Sequence, residues 1–390
     1  MPSNDNDTVS KTGIFVLPNN KYLTKVQSVV NSFQEYELPK IFLSHKTGLH
    51  LNEEVNYFIV AAGKGKRLKA LTQLVGDYTK ACFPFPLNNY YRDMYVADFP
   101  LALGTSFVNK TGYDFFTCPP NGNISGVINY YLRNPQNIKA TLISGVDLVY
   151  DSSSQEIAEF IEIQLKQPSN HLAFIGTEKR LNYPSSVGIF RAEKTSISES
   201  AFTFIDFIEN PSPEEFRSCI LPNGNHIVNT GLVYFSKLAV TKLMDKVRQE
   251  IENQGCVTFL KKNDSEIYNG AHAITYILKN MDKLFGEKSK KQPMIKMVIN
   301  WEDVGTVKSY FRFLSHVKNG LYLQNFSPDY AKAIWTSVSN RVSIEPNQKK
   351  MLFSPRYFSI EDIPENEHHL FNSIEGIRVN EKRCGEEKTS

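Results

Sequence analysis

The 390 residues predict an α/β protein built on a parallel sheet. Three observations lead there. An apolar, β-branched and aromatic run, Val55-Asn56-Tyr57-Phe58-Ile59-Val60-Ala61, ends directly in a glycine-containing loop, as a buried parallel strand does. A strand, a helix and a second strand follow one another between residues 139 and 176, which makes a right-handed βαβ unit. The composition, 41% hydrophobic and 22% charged, is that of a globular chain, and its length suffices for one large domain with a sizeable core.

Taken in order, residues 1–12 are polar and read as a disordered tail without the apolar segment of a secretory signal. Residues 13–54 hold short apolar clusters separated by turn residues and form an extension packed on the core. The strand at 55–61 opens the main domain. Lys139–Val146 is the next clear strand, followed by the capping box Ser153-Ser154-Gln155-Glu156 and the apolar-periodic helix of Ile157, Ile161 and Leu165. Pro168-Ser169-Asn170 stops that helix, and Leu172–Gly176 is the following strand. Apolar segments at 203–208 and 227–236 precede an amphipathic stretch from Lys237 to Ile251. The main domain extends to about residue 330, and 331–390 is a short appendage of weaker periodicity in which His368 and His369 read as solvated.

Several function classes fall away. A net charge of +3, from 44 basic and 41 acidic residues, gives no nucleic-acid coat but does not repel a phosphate-bearing substrate. The cluster Lys288-Ser289-Lys290-Lys291 has no interleaved aromatics and reads as a solvated loop. No apolar run approaches the roughly 18 residues of a membrane span. Five scattered cysteines, Cys82, Cys118, Cys219, Cys256 and Cys384, make no CxxC pair, so neither a zinc site nor a disulfide framework is expected and a cytoplasmic setting is.

Chemistry concentrates at strand ends, where open α/β sheets bind ligands. Ala61-Ala62-Gly63-Lys64-Gly65-Lys66-Arg67 follows the first strand, with a further lysine at Lys80. Small residues let backbone N–H groups reach phosphate oxygens, and the cations supply charge where a triphosphate is most negative. The loop is neither a Walker A sequence nor a complete G-x-G-x-x-G fingerprint. Asp147 follows the 139–146 strand, and Asp303 sits in Trp301-Glu302-Asp303-Val304-Gly305-Thr306. Carboxylates of this kind suit Mg²⁺, although a single strand-end aspartate is more often a helix cap.

In combination these residues resemble the sugar-nucleotide pyrophosphorylases, in a divergent form similar to the ADP-glucose pyrophosphorylases. Val60–Leu68 resembles the family's (L/V)-A-(G/A)-G-x-G-T-R-L loop, and Thr79-Lys80-Ala81 its K-P-(A/L/M) lysine. Asn121–Val127 is similar to G-T-A-x-A-(V/I), and Ile143–Tyr150 to L-x-G-D-x-(I/L)-Y. Ser185–Ile189 resembles (Y/F)-G-(V/I), Phe207–Pro211 F-x-E-K-P, and Asn229–Phe235 N-(T/A/M)-G-I-Y-(V/I)-F. The best single match is Trp301–Tyr310, similar to W-x-D-(I/V)-G-T-x-x-x-Y. The motifs stand in the family's own order across 55–313.

The resemblance implies a Rossmann-like three-layer αβα sandwich of the GT-A-like nucleotidyltransferase type. It also implies Mg²⁺-dependent transfer of a nucleotidyl group from an NTP to a sugar 1-phosphate, giving NDP-sugar and pyrophosphate. Arg67 and Lys80 would act on the triphosphate, and Asp147 and Asp303 would hold Mg²⁺, these four being the catalytic set. Ala61, Ala62, Gly63, Lys64, Gly65, Lys66 and Gly122 would bind the nucleotide. Gly188, Glu209, Asn210, Asn229 and Gly231 would line the sugar-phosphate pocket. The partners implied are the two substrates, with no nucleic acid or membrane and with room for a homo-oligomer.

Departures from the pattern touch recognition. Lys66, Ala81, Asn123, Ile124, Val146 and Asn210 replace a small hydroxyl residue, a proline, two small residues, a glycine and the E-K-P lysine. The 80–122 segment is short for the family, and a neutral Asn210 leaves Lys179, Arg180 or Arg191 as compensating cations. Without hexapeptide repeats in 331–390, a full β-helix is not expected there. Two alternatives stand beside the enzyme: a non-catalytic regulatory or binding relative, favoured by Asn210 and Val146, and a GT-A glycosyltransferase. The latter is disfavoured because Asp5-Asn6-Asp7, in the polar tail, is the wrong context for a D-x-D metal motif.

Overall fold

A computed structural model describes residues 13–17, 54–63, 113–118, 122–145, 147–150, 154–167, 169–182, 188–194, 201–261, 268, 270–286, 294–322, 328, 350–353 and 356–359. In chain order these form β1 (Gly13–Leu17), β2 (Val55–Val60), β3 (Tyr113–Thr117), α1 (Asn123–Arg133), β4 (Ala140–Gly145), β5 (Leu148–Tyr150) and α2 (Ser154–Lys166). Then come β6 (Leu172–Lys179), β7 (Ile189–Lys194), β8 (Ala201–Ile208), α3 (Pro213–Ser218), β9 (His226–Phe235) and α4 (Lys237–Gln254). The last are α5 (Gly270–Lys279), α6 (Met281–Phe285), β10 (Met294–Val298), β11 (Trp301–Asp303), α7 (Val307–Lys318), β12 (Lys350–Phe353) and β13 (Arg356–Ser359).

Spatial contacts between backbone positions divide the chain into two units, Met1–Lys64 with Ala102–Trp301, and Gly65–Leu101 with Glu302–Ser390. The first unit holds a nine-stranded sheet in the order β3-β1-β2-β4-β9-β6-β10-β8-β7, with β7 also paired to β9. β1 runs parallel to β2 and β3, β2 to β4, and β6 to β10. β9 runs antiparallel to β4, β6 and β7, and β8 to β10 and β7. Seven strands therefore point one way and only β8 and β9 the other, a mixed and mostly parallel sheet.

Burial on both sheet faces accounts for the near-continuous apolar strands. Phe58, Ile143, Val233 and Phe235 enter one core cluster with α1, α4 and α5 side chains. Their alternate neighbours Tyr57, Ile59, Leu142 and Tyr234 are no more than 1% exposed, so the opposite face is covered too. This is the layered α/β arrangement that the sequence predicts. Aromatic edge-to-face packing of Phe58 with Tyr130 and Tyr131 seats α1 on the sheet. Gly126 lets α1 come closer still, since a Cβ there would stand 2.3 Å from Val16 Cγ1. The Cys118 thiol lies buried in the same cluster, which pushes its pKa up to about 11 and leaves it a core side chain rather than a reactive one.

Two outcomes differ from the simplest reading. Gly13–Leu17, within the 13–54 segment, is a strand of the sheet itself between β3 and β2. The strand–helix–strand unit of β4, α2 and β6 is present, but its two strands are not neighbours. β9 runs between them, and Phe235 stands opposite both Thr141 and Leu172. In the second unit, Thr306 and Ser309 form a reciprocal cap that starts α7, and β12 pairs antiparallel with β13.

Candidate functional site

The carboxyl ends of β2 and β4 carry the first unit's candidate residues. Ala61 and Ala62 leave β2 buried, and Ala61 N–H donates to the Val16 carbonyl at 2.9 Å. Ala62 N–H donates to Asn123 Oδ1 at 2.9 Å, tying the loop to the first turn of α1. Among the described residues, nothing lies within 4 Å of where a Gly63 Cβ would stand. Gly122 caps α1, its carbonyl accepting from Gly126 N–H at 2.7 Å. Backbone N–H groups at a helix start favour anionic groups. Lys64, Gly65, Lys66, Arg67 and Lys80 lie outside the described residues.

Two of the departures acquire a local account. Asn123 replaces a small residue, and its side chain supplies the acceptor that holds Ala62. Ile124 packs against Gly270 at the start of α5, where a Cβ would lie 3.1 Å from Ile124 Cγ1.

Beyond β4 the predicted sugar-phosphate residues converge. Asp147 is half-buried in the turn between β4 and β5, its Oδ1 3.3 Å from where a Gly145 Cβ would stand. A Cβ on Gly231 would lie 2.7 Å from Leu148 Cδ1, and Gly231 has φ +87°, a left-handed conformation that glycine adopts without steric cost. Gly231 N–H donates to Asn229 Oδ1 at 3.0 Å, and Asn229 N–H to the Gly188 carbonyl at 2.9 Å. A Cβ on Gly188 would lie 2.5 Å from Phe207 Cε2 and 3.2 Å from Glu209 Oε2. Gly188, Glu209, Asn229, Gly231 and the Asp147 turn thus form one chain of neighbours. Asn210 follows in an exposed turn at φ 52°.

The shape of this region comes from an irregularity in β9. Phe174 pairs with Val233 and Gly176 with Asn229, so Thr230, Gly231 and Leu232 stand opposite Ile175 alone. On one side of this bulge β9 pairs with β4, and on the other with β7. The ladder is therefore interrupted beside the end of β4, where Asn229 and Gly231 lie. Trp301 Nε1 donates to the Thr230 carbonyl at 3.1 Å, and Thr230 Oγ1 to the Ile175 carbonyl at 2.7 Å. Sequence reasoning placed Trp301 in a motif but gave neither it nor Thr230 a role. A tryptophan and a threonine flanking glycine-containing turns were the only signals.

Charge near these residues is partly committed. Arg191 Nη2 pairs with Asp206 Oδ2 at 3.2 Å, and Lys179 Nζ stands 5.8 Å from the centre of the Trp301 ring. In the second unit, Asp303 Oδ1 accepts from Gly305 N–H at 2.7 Å, which orients the carboxylate. Buried Glu302 accepts from Arg312 Nε at 3.4 Å and contacts His316 Nδ1, bracing β11 against α7. No described helix is long and apolar enough to cross a membrane.

No protein-family model matches this chain, and no curated protein matches it. A structure of UDP-glucose pyrophosphorylase complexed with UDP-glucose is similar over 84% of this chain and 98% of that one, at 13% identity and a TM-score of 0.41. The apo structure of UDP-glucose pyrophosphorylase is similar over the same shares, at 11% identity and a TM-score of 0.40.

Proposed function

We propose that the chain transfers a nucleotidyl group from an NTP to a sugar 1-phosphate, releasing pyrophosphate. One observation carries the reading. Gly188, Glu209, Asn229 and Gly231, singled out from three separate motifs, lie together beside the Asp147 turn at the carboxyl end of β4.

In this reading the loop from Ala61 to Lys66 and Gly122 hold the nucleotide, and Arg67 and Lys80 neutralise the triphosphate. The Asn229–Gly231 turn and Glu209 orient the sugar phosphate so that its oxygen attacks the α-phosphorus in line. Positioning and charge stabilisation then supply most of the acceleration. Mg²⁺ is the ion this reading implies; Asp147 and Asp303 are each a hard oxygen donor suited to it, and its chemistry would be neutralisation of phosphate charge.

The test is a pyrophosphate-release screen of the common NTPs against a panel of sugar 1-phosphates with Mg²⁺. One productive pair, with activity lost on chelation, is expected; substrate binding without turnover would instead select the non-catalytic relative. Asp303→Asn should lower turnover on the order of a thousandfold, since metal-borne charge stabilisation is worth several kcal/mol. Its melting temperature should hold, because asparagine keeps the acceptor for Gly305 N–H.

A further inference from the structure

The β9 bulge needs a restraint that the sheet does not supply. A bulge gives up ladder hydrogen bonds, and a buried carbonyl without a donor is costly. Thr230 is fully buried, and both ends of its problem are solved locally. Its carbonyl takes the Trp301 indole N–H, and its hydroxyl reaches the Ile175 carbonyl, on the one β6 residue facing three β9 residues. Asn229 and Gly231 flank it on either side. Their mutual hydrogen bond and the left-handed Gly231 follow from the path that Thr230 is made to take.

We infer that Trp301 and Thr230 are positioning residues, a latch that holds the bulge so that Asn229 and Gly231 meet the sugar phosphate in one fixed geometry. The role in substrate binding rests on the proposed sugar-phosphate pocket; the hold on the bulge rests on the hydrogen bonds alone. Trp301 also stands beside Lys179, so the ring that secures the turn lies next to a cation of the same region. The latch acts on one substrate only. Its two hydrogen bonds join Trp301, Thr230 and Ile175, residues outside the Ala61–Gly63 loop and Gly122, so the effect is expected on the sugar phosphate rather than on the nucleotide.

The experiment uses the full-length protein with Trp301→Phe, which removes the indole donor but keeps an aromatic ring, and with Thr230→Val and Thr230→Ser. Hydrogen exchange is followed across β9. Amides 229–232 are expected to exchange about tenfold faster in Trp301→Phe and Thr230→Val, with 226–228 unchanged and Thr230→Ser close to wild type, the size expected of one lost hydrogen bond. Steady-state kinetics should show KM for the sugar 1-phosphate rising about tenfold in the same two variants, with KM for the NTP unchanged and Thr230→Ser rescuing. Unaltered exchange at 229–232 overturns the latch. Equal rises in both KM values overturn the positioning role, because a general loss of structure would affect both substrates. Should wild type bind no sugar phosphate, the pocket assignment fails while the exchange data still decide whether the latch holds the bulge. If Trp301→Phe does not fold, the Val and Ser variants at Thr230 decide alone.

Discussion

Asn210 sits in left-handed backbone at φ 52°, between the end of β8 and the Ser212 cap of α3. Among residues with a Cβ, asparagine tolerates this conformation best, because its short polar side chain can bond locally. The backbone thus supplies its own reason for asparagine where the resembling family carries lysine. Asn210→Lys should have two opposed effects. A full charge would tighten sugar-phosphate binding by about tenfold, charge-assisted bonds being roughly twice as strong as neutral ones. The left-handed lysine would cost about 1 kcal/mol of stability. Calorimetry with the sugar 1-phosphate and thermal melting read the two separately, and unchanged affinity in an active enzyme would place Asn210 away from the phosphate. The identity of this residue was legible in the sequence. Its backbone angle was not, since asparagine is common in many other turns.

At the scale of elements, α4 shows how a helix secures the loop behind it. Gly255 ends α4 in a left-handed cap at φ +72°. Glu250 then receives the next segment, accepting from Thr258 N–H at 2.7 Å, Thr258 Oγ1 at 3.0 Å and Phe259 N–H at 3.4 Å, with Lys246 Nζ at 3.3 Å. Burial alone would raise its pKa, but these bonds outweigh burial and hold it below the ordinary 4.5. A carboxyl lowered on folding stabilises above its unfolded value, and the contribution is lost as pH falls through the folded value. Glu250→Gln should therefore cost about 1.5–3 kcal/mol near neutrality, with the gap to wild type narrowing in acid. Melting curves of both proteins at the two pH values check this, and a gap that does not narrow would refute the charge-based account.

The same scale separates the legible from the hidden in the sheet. β4 and β6 were recognisable as strands and β9 as an apolar segment. That β9 inserts between the other two was not, because any strand's N–H and C=O groups can pair with any other's. The bulge was hidden for the same reason. It exists only as a mismatch between β6 and β9, more than 50 residues apart along the chain at Gly176 and Asn229.

Across the whole first unit, His171 is a buried titratable group at a junction. Its ring stacks on Phe285 of α6 at 3.6 Å, and its Nδ1 shares a hydrogen bond with Ser236 Oγ, the cap of α4, at 3.3 Å. Burial holds its pKa below the ordinary 6.5. The unfolded chain then binds the proton more readily, so stability is complete above that ordinary value and declines as pH falls below it toward the lowered folded value. Melting temperature should drop between about pH 7.5 and 5.5 more steeply in wild type than in His171→Gln. Parallel slopes would show that the junction does not sense the proton.

What the sequence determined by itself was local: buried strands from apolar runs, a helix from its apolar period, and glycines and an aspartate at strand ends. Each follows from a residue's own conformational preferences and those of its near neighbours. The tertiary structure decided which strands lie side by side, how β9 bends past β4, and which remote side chains meet there. Asn123 reaching Ala62, Gly270 making room for Ile124 and Trp301 holding Thr230 are all contacts between segments far apart in the chain. Their geometry is set by packing a common core, and no local preference encodes it.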